Sequence, residues 1–239
     1  VIGYLGSPLV FWLVIGSGFG SSFRSAGAGA GSNYLEYFFP GTLVLIVLFT
    51  SIFGMMTVIE DRKEGFLRSV LVSPIPRSSL VMGKILGSTT LATLQGFLFV
   101  LLAPLVGIHL GLLPLILTVG ILFLIGLGLT NLGFFIAWRL DSTHGFHALV
   151  NLFLIPMWLL SGALFPISGA ATWIGWIMRL NPLTYNLAAL RRVLYLDSVA
   201  SPGDIPSLTF AVAITVLFAG VTFLAALRIV GRHGAGQMG

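Results

Sequence analysis

Ile85–Trp138 reads ILGSTTLATLQGFLFVLLAPLVGIHLGLLPLILTVGILFLIGLGLTNLGFFIAW, 54 residues without an Asp, Glu, Lys or Arg. A helix needs about 20 apolar residues to cross the hydrocarbon of a bilayer. The stretch is too long for one span and fits two. The break falls where Pro104, Gly107, His109, Gly111 and Pro114 gather. Three further charge-free stretches, Val1–Phe23, Tyr37–Ile59 and Ile205–Leu227, have 23 residues each and give one span apiece. Ser142–Met178 is interrupted by Pro156, Pro166 and Gly169. It reads as one span ending near Pro166, followed by an apolar piece, Ala171–Met178, too short to cross. The expectation is an all-α integral membrane protein with six spans, at about 1–23, 37–59, 85–104, 114–138, 148–166 and 205–227. Residues 1–239 form one membrane domain, without a soluble domain or internal repeat.

Composition points the same way. Of 239 residues, 57% are hydrophobic and 8% charged, against about 25% charged in a soluble domain. Mean hydropathy is +1.05. A soluble fold of this size has too much surface to hide so much apolar area, which excludes a soluble enzyme, a nucleic-acid-binding domain and a disordered chain. The net charge of +5 follows from basic cytoplasmic loops rather than from a nucleic-acid partner. Cysteine is absent, so there is no disulfide framework or thiolate chemistry. Val1–Phe23 has neither the basic flank nor the cleavage site of a signal peptide and reads as a span. A cytoplasmic segment ahead of Val1 is left open.

Lys and Arg near the span ends set the orientation. With Glu60–Lys84 inside, the inner loops hold Arg62, Lys63, Arg68, Arg77, Lys84, Arg139, Arg228 and Arg232. The outer loops hold only Arg24, Arg179, Arg191 and Arg192, and Ala26–Gly31 is a flexible outer loop. Both termini are then cytoplasmic. Within the spans nothing is ionisable, which argues against a gradient-driven carrier and an intramembrane hydrolase. Gln95 and Asn131 are expected to hydrogen-bond helix to helix. Asp141, His144 and His147 have metal-like spacing but read as a polar turn, with no metal site. Gly16/Gly20 and Gly83/Gly87 are weak small-residue pairs, read as packing within the chain.

Eight of the 19 charges lie in Glu60–Lys84. There Phe66, Leu67, Val70 and Leu71 make an apolar stripe, Glu64 and Arg68 are an i,i+4 pair, and Pro74 and Pro76 stop the helix. Such a helix suits either lipid headgroups or a cytoplasmic protein. On the outer side, Trp173 and Trp176 belong at headgroup level, and Asn181-Pro182 reads as a turn or helix start. Arg191 and Arg192 run against the charge rule. Lipid phosphate, a carboxylate such as Glu36 or Asp197, or an anionic substrate headgroup is expected to compensate them.

The run IEDRKEGFLRSVLVSPIPRSSLVMGKILG, through Glu64-Gly65, Leu71–Pro74 and Gly83-Lys84, resembles the type-2 ATP-binding-cassette exporter permeases. A second run, LLSGALFPISGAATWIGWIMRLNPLTYNLAALRRVLY, resembles the same family. It does so through Ser161-Gly162, Phe165-Pro166, Asn181-Pro182-Leu183-Thr184-Tyr185 and Arg191. The resemblance covers nearly the whole chain and is nearest to drug- and nodulation-factor-type exporters, with polysaccharide exporters further off. Thr172-Trp173 departs from it where the family commonly has Pro before the Trp.

The resemblance implies a dimeric permease in the cell (inner) membrane, with two cytoplasmic ATPase subunits docked below. It would export an amphipathic or lipid-linked substrate such as a drug, glycolipid or polysaccharide. The chain has no Gly-rich phosphate loop. It is not itself an enzyme, and ATP and Mg belong to the partner ATPase. The coupling region, 60–77, would use Glu60, Asp61, Arg62, Glu64, Gly65, Phe66, Leu67 and Arg68. A re-entrant outer region, 167–192, would gate the exit through Pro166, Trp173, Trp176, Asn181, Pro182, Tyr185 and Arg191. The rival readings are a membrane anchor or scaffold for an ATPase without transport, and a gradient-driven carrier.

Overall fold

The computed structural model describes residues 2–19, 34–65, 77–196 and 205–235, and among these residues there are helices and no strand. In chain order they are α1 (Ile2–Phe19), α2 (Tyr34–Gly54), α3 (Met56–Lys63), α4 (Arg77–Val100) and α5 (Leu112–Arg139). There follow α6 (Thr143–Ala163), α7 (Thr172–Leu180), α8 (Pro182–Leu194) and α9 (Leu208–Ala235). The expected break between the third and fourth spans is present, as a 3-10 turn at Ala103–Val106 closed by Gly107.

Among the described residues four helical stretches are long and apolar enough to cross a membrane: Tyr34–Lys63, Leu112–Arg139, Thr143–Ala163 and Leu208–Val230. The two remaining expected spans are helical, α1 over Ile2–Phe19, and α4 falls short of that measure. Helix α4 begins eight residues before the expected span and carries Lys84, Ser88, Thr89, Thr90, Thr93 and Gln95, which lower its hydropathy.

Helix α2 is the hub. Within its most apolar window 72% of residues are buried, against 28–39% for the other three. It packs against α1, α4, α5, α8 and the end of α6. Trp12 of α1 sets its ring edge against Phe39 and Phe99, and those two stack at 4.8 Å. Polar residues stitch neighbours as expected of buried amides in a membrane helix. Thr50 donates to Gln95 Oε1 at 2.5 Å, and Asn131 Nδ2 donates to the Ala219 carbonyl at 3.2 Å. Bonds of this kind average about 0.6 kcal/mol.

Two boundaries differ from the sequence expectation. The second span does not stop at Ile59: α3 continues α2 past Met55, so Glu60–Lys63 are helical. Helix α6 does not end at Pro166. It widens into π turns at Val150–Leu154 and Leu159–Ala163, on either side of Pro156. Leu160 and Gly162 then leave helical geometry, with Gly162 at φ +88°. Pro156 removes one helical donor, and wide turns absorb such a gap. Pro166 instead caps a 3-10 turn, Ile167–Gly169. Of the glycine pairs, Gly16 packs within the chain, since a Cβ there would sit 2.2 Å from Leu35 Cδ2, whereas Gly83 and Gly87 meet nothing within 4 Å. Gly20 lies outside the described residues.

Candidate functional site

At one end of the bundle the charged residues gather. Asp61 pairs with Lys84, and Lys84 also donates to Thr57 Oγ1 at 3.3 Å, which ties α3 to α4. Arg62 turns the other way. Its Nη1 donates to Asp141 Oδ1 at 3.0 Å, and its Nη2 donates to the Trp138 and Ala137 carbonyls at 2.8 and 3.4 Å. The guanidinium also lies 5.3 Å from the Trp138 ring centroid. Those carbonyls belong to the last turn of α5, where the i+4 helical donors run out and only the Leu140 N–H reaches back, to the Ala137 carbonyl at 3.3 Å. Arg62 therefore caps a neighbouring helix.

Glu60, Lys63 and Glu64 are exposed. Gly65 follows at φ +79°, with its N–H donating to the Arg62 carbonyl at 3.3 Å. A glycine in this left-handed region terminates a helix, so Glu64-Gly65 is the stop of α3. Phe66, Leu67 and Arg68, with the rest of the apolar stripe, lie outside the described residues.

The turn after α5 is polar, as read from the sequence. The Ser142 Oγ accepts from the Gly145 N–H at 3.3 Å and starts α6. Asp141 faces Arg62, and His147 lies 5.0 Å from the Phe53 ring. Among the described residues no three His, Cys, Asp or Glu side chains could hold a metal ion.

At the opposite end, α7 and α8 form a helical pair joined at Asn181. The Asn181 side chain accepts from the Leu183 N–H at 3.0 Å and donates to the Met157 carbonyl at 2.5 Å. Pro182 occupies the first turn of α8, where its missing N–H costs nothing. Thr184 Oγ1 reaches back to the Met178 carbonyl at 2.6 Å, and Tyr185 Oη to the Arg179 carbonyl at 2.7 Å. The Asn-Pro-Leu-Thr-Tyr run is therefore a double device, starting α8 and closing α7. Trp173, Trp176, Ile177 and Leu180 form one exposed apolar stripe on α7, with Arg179 5.7 Å from the Trp176 ring centroid.

Arg191 is buried. It donates to the Gly162 carbonyl at 3.0 Å and the Tyr37 carbonyl at 3.4 Å, and stacks 4.3 Å from the Tyr37 ring centroid. Arg192 donates to the Ile205 and Pro206 carbonyls at 2.7 and 3.1 Å. Among the described residues neither arginine pairs with a carboxylate, Glu36 included, and Asp197 lies outside them. Backbone carbonyls accept from both arginines.

The sequence reading missed the partners. Tyr37 Oη donates to the Gly162 carbonyl at 3.2 Å, Tyr34 Oη to the Leu164 carbonyl at 3.1 Å and Trp158 Nε1 to the Gly41 carbonyl at 2.8 Å. Tyr195 Oη donates to the Glu36 carbonyl at 3.1 Å. The available signal was a pair of tyrosines three apart beside Pro40.

Residues 2–195 match the family model for the ABC-2 type transporter, and the chain belongs to that family. It is 31% identical over 189 residues to a putative transport permease, ycf38, of Cyanophora paradoxa, an alignment covering 77% of this chain and 64% of that protein. It is 22% identical to nodulation protein J of Rhizobium meliloti (strain 1021), over 81% of this chain and 73% of that one. It is 25% identical to the linearmycin resistance permease protein LnrN of Bacillus subtilis (strain 168), over 79% of this chain and 47% of that one. The chain thus spans less than two thirds of the ycf38 permease's length.

Proposed function

We propose that the chain is the membrane-spanning permease of an ATP-driven exporter that moves an amphipathic or lipid-linked substrate. The family match over residues 2–195 carries this reading. Relatives named as transport permeases, one of them for linearmycin resistance, favour it. In this reading α1, α2 with α3, α4, α5, α6 and α9 are six spans. Helices α7 and α8 re-enter the membrane from the outer side, and both termini lie in the cytoplasm of a cell whose inner membrane holds the protein. Two permease copies and two ATPase subunits form the working unit, and the partner ATPase binds ATP and Mg.

The mechanism follows from the two ends of the bundle. The exposed Glu60, Lys63 and Glu64, with Gly65, Phe66, Leu67 and Arg68, would seat in a groove of the ATPase. Asp61 and Arg62 would hold that seat to α4 and α5. ATP binding closes the ATPase pair as a rigid body, and the bundle switches between two packings. Pro166, Trp173, Trp176, Asn181, Pro182, Tyr185 and Arg191 would position the outer gate. The absence of ionisable groups midway along the spans argues against a gradient-driven carrier.

Purification of the tagged chain from its native membrane tests the reading. A co-purifying ATP-binding chain whose vanadate-sensitive hydrolysis rises with an added amphipathic dye is expected. A chain that carries no ATPase through purification, under mild and cross-linked conditions alike, contradicts it. An ATPase whose hydrolysis no amphipathic dye or lipid changes would favour a scaffold.

A further inference from the structure

We propose that Arg62 is a positioning residue that locks the end of α3 to the α5–α6 turn, so that motion of the segment beyond Gly65 is carried into α5 and α6. The inference rests on the coupling reading above and assigns Arg62 to transmission rather than to ATPase contact. Arg62 sits three residues before Gly65 and spends its fork inside the chain: Nη2 on the Trp138 and Ala137 carbonyls, Nη1 on Asp141, its plane beside Trp138. Asp141 is the first residue but one after α5 and precedes Ser142, the cap of α6. One planar group thus touches the last turn of one helix and the lead-in to the next.

The strength of each contact decides what holds. The Asp141 side chain is 90% exposed, and an ion pair in that setting contributes little. The carbonyls cannot leave their helix, and the ring fixes the guanidinium plane. A fork bound to three acceptors sets orientation as well as distance, which an ammonium does not. The Asp61–Lys84 pair is the complementary case, a point-charge link from α3 to α4. The two links tie α3 to two different neighbours, α4 and the end of α5.

The chain has no cysteine, so Ser168→Cys, exposed between α6 and α7, gives one labelling site. Native-host membrane fragments open on both sides are treated with an impermeant maleimide, with and without Mg-ATP plus vanadate. The Ser168→Cys parent is expected to change its labelling rate by about fivefold on nucleotide. Adding Arg62→Lys or Arg62→Ala is expected to remove most of that change, while ATPase co-purification and the detergent melting temperature of the Lys variant stay at parent level. Asp141→Asn is expected to keep more than half of the change.

A Lys variant that responds like the parent overturns the inference, because charge alone then suffices. A variant that loses the ATPase also overturns it, because Arg62 is then a docking contact. A variant whose melting temperature falls in step with the signal makes Arg62 merely structural and overturns it too. A parent without any nucleotide response overturns the coupling reading itself, and this inference with it.

Discussion

Arg191 donates to the carbonyl of Gly162 at 3.0 Å, and the residue four places beyond Gly162 is Pro166, which has no N–H to offer. The carbonyl is also met by Tyr37 Oη at 3.2 Å. The same arrangement recurs at Glu36, four places before Pro40, where Tyr195 Oη donates at 3.1 Å. Pro40 strips the Glu36 carbonyl of its helical donor, whereas the Gly162 carbonyl has none because α6 has already left helical geometry there, and in both places a side chain from a distant helix answers it. An unanswered carbonyl in hydrocarbon costs several kcal/mol, so these contacts hold α8 and the end of α6 against α2.

Replacing Arg191 by Met keeps most of the volume and removes the charged donors. Hydrogen bonds to charged groups contribute about 1.5–3 kcal/mol, and Tyr37 still covers part of the Gly162 carbonyl. A loss of about 2 kcal/mol is expected, read as a lower melting temperature in detergent. Arg191→Lys, which cannot stack flat on the Tyr37 ring, is expected to recover less than half of it. Arg191→Ala is also expected to lower export at matched expression, with the ATPase still bound. Unchanged export would reduce Arg191 to an anchor.

Tyr195 and Pro40 form a test cycle. Tyr195→Phe leaves the Glu36 carbonyl without its donor and should cost about 1 kcal/mol. In a Pro40→Ala background the helix supplies its own N–H to that carbonyl, so the same change should cost less than half as much. Equal costs in both backgrounds, measured by unfolding in mixed micelles, would show that Tyr195 does not answer the proline.

Gly41→Ala tests the contact between α2 and the end of α6. A Cβ at residue 41 would lie 2.8 Å from Ala163 Cβ and 3.1 Å from the Ala163 Cα and carbonyl oxygen. Backbone cannot rotate away as a side chain does, so overpacking of about 1–3 kcal/mol is expected despite the better helix propensity of Ala. A melting temperature at or above wild type would contradict that close approach.

Orientation is tested with two single cysteines in the cysteine-free chain. Ser168→Cys is expected to react with an impermeant thiol reagent in intact cells, and His144→Cys only after the membrane is opened. The reverse pattern would invert the topology.

The long apolar helices were legible because apolar length is a one-dimensional property. Ile85–Trp138 needed no knowledge of neighbours to be divided, and the Asn181-Pro182 start of α8 follows from the local chemistry of a cap. The end of α6 was not legible. Pro166 looked like the terminator, but Leu160 and Gly162 break the helix earlier because donors from α2 and α8 hold the freed carbonyls there. Those donors come from residues 125 to 29 positions away along the chain, which no local pattern encodes. Asp61 and Arg62 were legible as charges and not as contacts, since their partners Lys84, Trp138 and Asp141 lie on three other elements.

The central claim is that the segment after Gly65 meets a separate ATPase. A Phe66→Cys chain, carried in native membranes with single cysteines on the surface of its co-purifying ATP-binding subunit, tests this by disulfide cross-linking with and without nucleotide. The account predicts a cross-linked species containing both chains, with a yield that changes between the nucleotide-free and vanadate-trapped states. No cross-link at residue 66 in any nucleotide state, from a complex that still co-purifies, would contradict it.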